Sequence, residues 1–357
     1  MVAVSLVTLG SPDQVTGGYL YHRRLADVAP GHGAKIRFVS FADGFFPASA
    51  LRAGDVIARA RSRGVDVIVV DSIVASLLAP WLATHRLDLP MVAILHQPPG
   101  GIDHSPLATR VRAALDRSTY RRARRLLTAS QALADQLESS GFARDRIRVV
   151  PPGRDVALAP EGATPELRSE GRVAFLCVGN WVARKGILSL LDAYARLPPE
   201  AGILHLVGDQ AKDRPYAARI MTRLGDADLT GRVVVHGPVT KERVAALYAA
   251  ADVFVLPSWK EPYGTVYGEA MAAGLPVVGW RAGNLLNLAE DGQQGVLVPP
   301  GDVEALASAM QELALDDAYR LRLASSARRR AQSLPTWDET ARLFFSNLRE
   351  VVDEDTS

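Results

Sequence analysis

Two carboxylates eight residues apart, Glu261 and Glu269, frame the stretch EPYGTVYGEAMAAGLPVV at residues 261–278. The apolar run at residues 253–256 reads as a strand, and Glu261 closes the loop after it. Tyr263, Gly264 and Thr265 then open a helix that carries Glu269, runs to Ala273 and stops at Gly274, with Pro276 beyond. A helix opening in this way aims free backbone N–H groups and the positive end of its dipole at an anion. One carboxylate at the mouth of the loop and one inside it add acceptors for hydroxyl groups, so the stretch suits a phosphorylated sugar. Taken singly, Glu261 is an ordinary loop cap and Glu269 an ordinary solvated helical residue; the eighteen-residue context favours function.

Other residues could contribute to the same chemistry. After the apolar run at 173–178, GNWVARKGI places Arg184 and Lys185 in a strand-to-helix loop. Adjacent cations there can neutralise a departing diphosphate, a charge that a metal ion would otherwise supply. Without Gly179 and Gly186 on either side, a solvated surface pair would be the better reading. Near the N-terminus, GSPDQVTGG at 10–18 precedes a helix with Leu20, Arg24, Leu25 and Val28. Gly17 and Gly18 at that helix start would let a ligand approach the backbone, although a Gly-Gly pair alone is more often a simple turn. His96 follows the strand at 91–95 and opens HQPPGGIDH, with His104 further along the same loop. A lone histidine after a strand is usually structural; its place at a strand's carboxyl end argues for function. No histidine and carboxylate cluster with metal-ligand spacing is visible along the chain, so no catalytic metal is expected.

These residues need a scaffold that presents loops at strand ends. The 357 residues exceed one ordinary core and suggest two domains. Hydrophobic content of 48%, with 22% charged residues and a net charge of +2, describes a globular protein and gives no general case for a nucleic-acid partner. The single Cys177 lies in an apolar run and reads as a core residue; with no disulfide, a reducing cytoplasm is expected. MVAVSLVTLG lacks a basic n-region and is too short to span a bilayer, so it reads as a buried first strand. Strands are expected at 2–9, 36–41, 65–70, 91–95, 126–128 and 148–150, then at 173–178, 203–207, 233–235, 253–256, 276–279 and 295–298. Amphipathic stretches alternate with them, the pattern of parallel sheets covered on both faces. Residues 151–171, rich in Pro and Gly, read as an interdomain linker, and Trp337, Ala341, Phe344 and Leu348 lie at helical spacing near the end.

The E-x7-E pattern followed by AMAAGLPVV resembles the signature of retaining, nucleotide-sugar-dependent glycosyltransferases of family 4, which have the GT-B fold. The resemblance implies two Rossmann-like parallel-sheet domains, 1–155 and 156–334, facing a central cleft. The helix at 335–357 would cross back to the first domain. A hexose would move from a GDP- or UDP-sugar to an acceptor hydroxyl with retention, the nucleotide sugar being a co-substrate and no cofactor being needed. Glu261 would face the sugar hydroxyls, Glu269 the ribose, and Arg184 with Lys185 the diphosphate. Gly264, Thr265 and Val266 would hold sugar and phosphate through their backbone. Gly17 and Gly18 would cover the donor phosphate, His96 would contact the transferred sugar, and Gly237 with Val239 would pack on the base. Two departures stand out: Asn180 where the family often has an arginine, and Arg154 in place of a valine in the interdomain turn.

Arg110, Arg112, Arg117, Arg121, Arg122, Arg124 and Arg125 form a basic segment with only Asp116 opposing them along the chain. It could hold anionic lipid, with peripheral contact at the inner membrane face, or a phosphorylated acceptor; a solvated helix is slightly favoured because no Trp or Phe lies among them. The acceptor is left open as a glycan, a glycolipid or a small molecule. Competing readings are a GT-B epimerase or phosphorylase, and a catalytically silent sugar-nucleotide-binding subunit. A dehydrogenase is disfavoured because G-x-G-x-x-G is absent after the first strand.

Overall fold

The computed structural model describes residues 1–11, 17–42, 44, 46–154, 166–168 and 172–356. Residues 12–16 of the first glycine loop, and 155–165 and 169–171 of the expected linker, lie outside the described residues. The chain divides into two compact units, Met1–Gly153 with Pro335–Ser357, and Arg154–Leu334.

The first unit is built on six parallel strands, β1 (Val2–Leu9), β2 (Ala34–Phe41), β3 (Val67–Asp71), β4 (Met91–Leu95), β5 (Arg125–Thr128) and β6 (Ile147–Val149), in the order β2-β1-β3-β4-β5-β6. Continuous apolar runs form these strands because both faces are covered. Within β3, Val67 and Val69 enter the core on one face while Ile68 and Val70 enter the core on the other. The third strand begins at Val67 rather than 65 because Asp66 is occupied beside it, its carboxylate accepting from the Ala3 N–H at 2.8 Å.

The helix Trp337–Thr356 belongs to this unit. It opens with a reciprocal cap: Thr336 Oγ1 accepts from the Glu339 N–H at 3.2 Å, and the Glu339 carboxylate accepts from the Thr336 N–H at 2.7 Å. Ala341, Phe344, Phe345 and Leu348 fill the core against β1, β3 and β4. Burial of each large side chain contributes about 1.5–3 kcal/mol. Gly153 is required where the chain meets this helix, since a Cβ there would stand 2.5 Å from Trp337 Cα.

The second unit repeats the plan with β7 (Val173–Val178), β8 (Gly202–Val207), β9 (Val233–Gly237), β10 (Val253–Val255), β11 (Val277–Trp280) and β12 (Gly295–Val298), in the order β12-β11-β10-β7-β8-β9, again parallel. Cys177 is fully inside its core, where burial pushes the thiol up to about 12, as a packing residue requires. In each sheet the strand order reverses once, between β1 and β3 in the first and between β7 and β10 in the second. Open α/β sheets bind ligands beyond the carboxyl ends of the strands at such a reversal. Among the described residues, no helix is long and apolar enough to cross a membrane.

Candidate functional site

In the second unit, the loops after β7 and β10 bring Arg184, Lys185 and Glu261 together. Lys185 ends a short 3-10 turn, Ala183–Lys185, and Gly186 follows in the left-handed region at φ +69°. A Cβ at Gly186 would lie 2.1 Å from the Pro257 carbonyl oxygen, so only glycine lets the two loops approach. Lys185 Nζ donates to Glu261 Oε2 at 2.5 Å, and Arg184 Nη1 stands 3.7 Å from the same oxygen. Ser258 Oγ is positioned 3.1 Å from the Arg184 carbonyl and 3.4 Å from Glu261 Oε2. Lys185 and Glu261 are almost excluded from water, with side chains 9% and 12% exposed, so each holds the other's charge in a low-dielectric setting.

The backbone around Glu261 is equally constrained. Asn284 donates its N–H to the Glu261 carbonyl at 2.9 Å and its side-chain amide to the Tyr263 carbonyl at 2.8 Å. Gly264, at φ +88°, caps the helix Thr265–Ala273, which ends at Gly274, also left-handed at φ +85°. Glu269, midway along on its partly exposed side, accepts from Tyr248 Oη at 3.2 Å. Burial and the adjacent carboxylate raise the Tyr248 hydroxyl well above its usual range, so it remains a donor.

Other positions of the second unit are occupied differently. Gly237 closes β9 at φ +67°, and its carbonyl accepts from the Gly208 N–H at 3.0 Å. Val239 is half-buried against the core. Asn180 Oδ1 accepts from the Asp209 N–H at 3.3 Å, so this side chain braces the loop after β8. Arg154 donates to the Leu334 carbonyl at 3.1 Å.

In the first unit, parallel register sets a second cluster. Val7 lies beside Val70 and Asp71 beside Ile94, which puts Thr8, Asp71 and the residue after β4, His96, at adjoining strand ends. The buried Asp71 carboxylate accepts from Thr8 Oγ1 at 2.9 Å, from Ser72 Oγ at 3.3 Å and from the Ile73 N–H at 3.2 Å. The helix Gly17–Val28 adds His22, whose Nε2 is 2.9 Å from His96 Nε2 and whose Nδ1 is 3.7 Å from Asp71 Oδ2. Tyr21 packs edge-on against His96 at 4.8 Å between ring centres and donates its hydroxyl to the Val150 carbonyl at 3.0 Å. Desolvation pushes both His22 and His96 down to about 3, so both rings are neutral; burial pushes Asp71 up.

This group of two histidines and a carboxylate is not visible in spacing along the chain. His22, Asp71 and His96 present ligand-type atoms within 4.8 Å of one another, yet they come from separate elements, so no sequence spacing announces them. Gly18 lies beside them: a Cβ there would sit 3.4 Å from His96 Cδ2. Gly17 faces open space in the same helix turn. His104 is exposed and stays outside the group.

The basic segment does not act as one helix face. The helix Pro106–Arg122 ends before Arg124 and Arg125, which pair with Asp355 and Glu354 of the final helix at 2.7 and 2.6 Å. Asp116 is buried and accepts from the Gly100 N–H at 2.7 Å; burial pushes its carboxyl up to about 6, with the Arg112 charge opposing that rise.

Comparison with known proteins follows the two units. Residues 2–158 match the family model described as Glycosyltransferase Family 4, and residues 172–316 match Glycosyl transferases group 1. A D-inositol 3-phosphate glycosyltransferase of Xylanimonas cellulosilytica is 33% identical over 291 residues, covering 74% of this chain and 67% of that protein. The chain is a GT-B glycosyltransferase. It spans 51% to 58% of the length of the other curated relatives compared. Among solved structures, sucrose-phosphate synthase from Thermosynechococcus elongatus superposes with a TM-score of 0.83 at 23% identity, covering 99% of this chain and 100% of that one. The Anabaena protein HepE in complex with UDP-glucose superposes at 0.78 and 21%, covering 97% and 99%. At these identities the likeness is one of fold. For this GT-B glycosyltransferase the relatives support glycosyl transfer as the general class of reaction.

Proposed function

We propose that the protein moves a hexose from a nucleotide diphosphate sugar to an acceptor hydroxyl with retention at the anomeric carbon. The observation that carries this reading is the Arg184, Lys185 and Glu261 cluster at the β7 and β10 ends. Arg184 and Lys185 neutralise the diphosphate as the sugar leaves, and Glu261, held by Lys185, accepts from sugar hydroxyls. The N–H groups at Gly264, Thr265 and Val266 hold phosphate and sugar at the helix start. Glu269 accepts from the ribose, and the Gly237 to Val239 backbone lies along the base. Fixed positive charge, aimed where negative charge develops, supplies much of the rate. The leaving phosphate takes the acceptor's proton, so the step calls on no protein nucleophile and no metal.

In the first unit, His96 meets the transferred sugar, and the start of the helix Gly17–Val28 approaches the donor phosphate. A phosphorylated or lipid-borne acceptor fits the exposed Arg110, Arg121 and Arg122, with contact at the inner face of a membrane and the body of the protein in the cytoplasm. HepE supports a nucleotide-sugar donor by fold, since its structure holds UDP-glucose.

A thermal-shift screen against UDP, GDP and ADP and their glucose, mannose, galactose and N-acetylglucosamine conjugates tests the reading, with wild type beside Glu269→Ala. One nucleotide series raising the melting temperature, and doing so less in the variant, is the expected result. No shift with any donor in folded protein would overturn it.

A further inference from the structure

Asp71, His22 and His96 converge, with their ligand-type atoms all within 4.8 Å of one another. Asp71 Oδ2 faces the Nδ1 edge of the His22 ring at 3.7 Å, and His96 meets the Nε2 edge at 2.9 Å. No hydrogen bond among the described residues reaches His22 Nδ1, although the ring is fully buried.

Two neutral imidazoles whose Nε2 atoms lie 2.9 Å apart need one N–H and one lone pair between them. The choice falls to the far edge of His22. Thr8 Oγ1, Ser72 Oγ and the Ile73 N–H all donate to Asp71, which keeps its oxygens in the accepting role. An accepting carboxylate opposite Nδ1 favours a proton on that nitrogen. The His22 Nε2 lone pair then accepts from His96 Nε2–H, and His96 Nδ1 is left as an acceptor. His96 is the one partly exposed member of the three, so its free edge is the one a ligand can meet.

We propose that Asp71 and His22 are positioning residues that lock His96 in its Nε2–H tautomer, so that His96 presents Nδ1 as a hydrogen-bond acceptor to a sugar hydroxyl. The role of His96 toward sugar rests on the proposed function; the tautomer does not. Specificity follows: the contacted position must carry a hydroxyl that donates, and a deoxy or O-methyl sugar loses the bond.

The test is NMR of protein labelled with 15N-histidine, using long-range proton to nitrogen correlations that separate protonated from bare ring nitrogens. The expected result at neutral pH is His22 as Nδ1–H and His96 as Nε2–H. In Asp71→Asn, whose amide can donate to His22 Nδ1, both rings should switch tautomer, and kcat should fall about tenfold or more with donor KM unchanged. If that variant fails to fold, the wild-type spectrum still decides. Wild-type His96 found as Nδ1–H overturns the lock even if the protein is an active transferase. Stoichiometric uptake of Co2+ with coordination by both rings also overturns it. The expected tautomers in a protein that binds no nucleotide sugar uphold the lock and reject only the function it serves.

Discussion

Lys185 Nζ and Glu261 Oε2 are 2.5 Å apart across the point where the second sheet reverses its strand order, and both side chains are nearly excluded from water. The cation proposed for the donor diphosphate is thus already partnered by the carboxylate proposed for the sugar. Arg184, 3.7 Å from the same oxygen, shares the load. A pair this buried is costly to split, because removing one member leaves the other desolvated and uncompensated.

The pair can be separated from the fold by a double-variant cycle. Glu261→Gln should destabilise the protein by about 3 kcal/mol, the lower end for breaking a buried pair, as should Lys185→Met. Combined, they should recover most of that loss, because neither charge is then stranded. Transfer activity should not recover, staying at least about 100-fold down, since the groups that meet the developing charge are gone. Melting curves and single-turnover rates on the three variants check both statements. Recovery of activity in the double variant would remove the pair from the chemistry.

The two buried histidines predict a direction for acid sensitivity. Both rings are pushed from an ordinary value of 6.5 down to about 3 by desolvation. A histidine lowered in the folded state contributes stability above about 6.5, where both states are neutral, and loses it as pH falls toward about 3 while the unfolded chain takes up protons. The slope is about 1.4 kcal/mol per pH unit for each ring. Asp71, raised by burial, has the opposite sign and restores part of the loss once it protonates in the folded state. Thermal melts between pH 7 and 4 should therefore fall steadily for wild type and less steeply for His22→Gln. Equal slopes would mean that His22 is charged or exposed in solution.

The sequence displays the scaffold and the second-unit cluster far better than it displays the first-unit cluster. Runs such as VIVV at residues 67–70 announce strands buried on both faces, and glycines at 264 and 274 bracket the helix that carries Glu269. Glu261, Arg184 and Lys185 were legible because each follows a strand closely and turn glycines mark the loops. His22 was not. It sits inside an amphipathic helix, where a histidine near Leu25 reads as core, and its partners arrive only when β3 and β4 are laid beside β1. The one local signal was Asp71, a carboxylate ending an otherwise apolar strand. Asn180 illustrates the same limit. Its bond to the Asp209 N–H is a relation between two strand-end loops that neither loop states alone.

Tyr248 offers a probe of Glu269 that leaves the carboxylate in place. Its hydroxyl lies 3.2 Å from Glu269 Oε2 and 3.3 Å from the Val266 carbonyl, on the helix Lys241–Ala250 that flanks the carrier helix. Tyr248→Phe removes a buried donor and should cost about 1 kcal/mol of stability. On the ribose role proposed for Glu269, away from the breaking glycosidic bond, loss of this bond should weaken ground state and transition state alike. The expected kinetic result is a donor KM raised severalfold at unchanged kcat. A fall in kcat at unchanged KM would place Glu269 at the reacting sugar and require the ribose role to pass to another group. The measurement is a donor-saturation curve for each protein, with free nucleotide titrated calorimetrically to separate affinity from turnover.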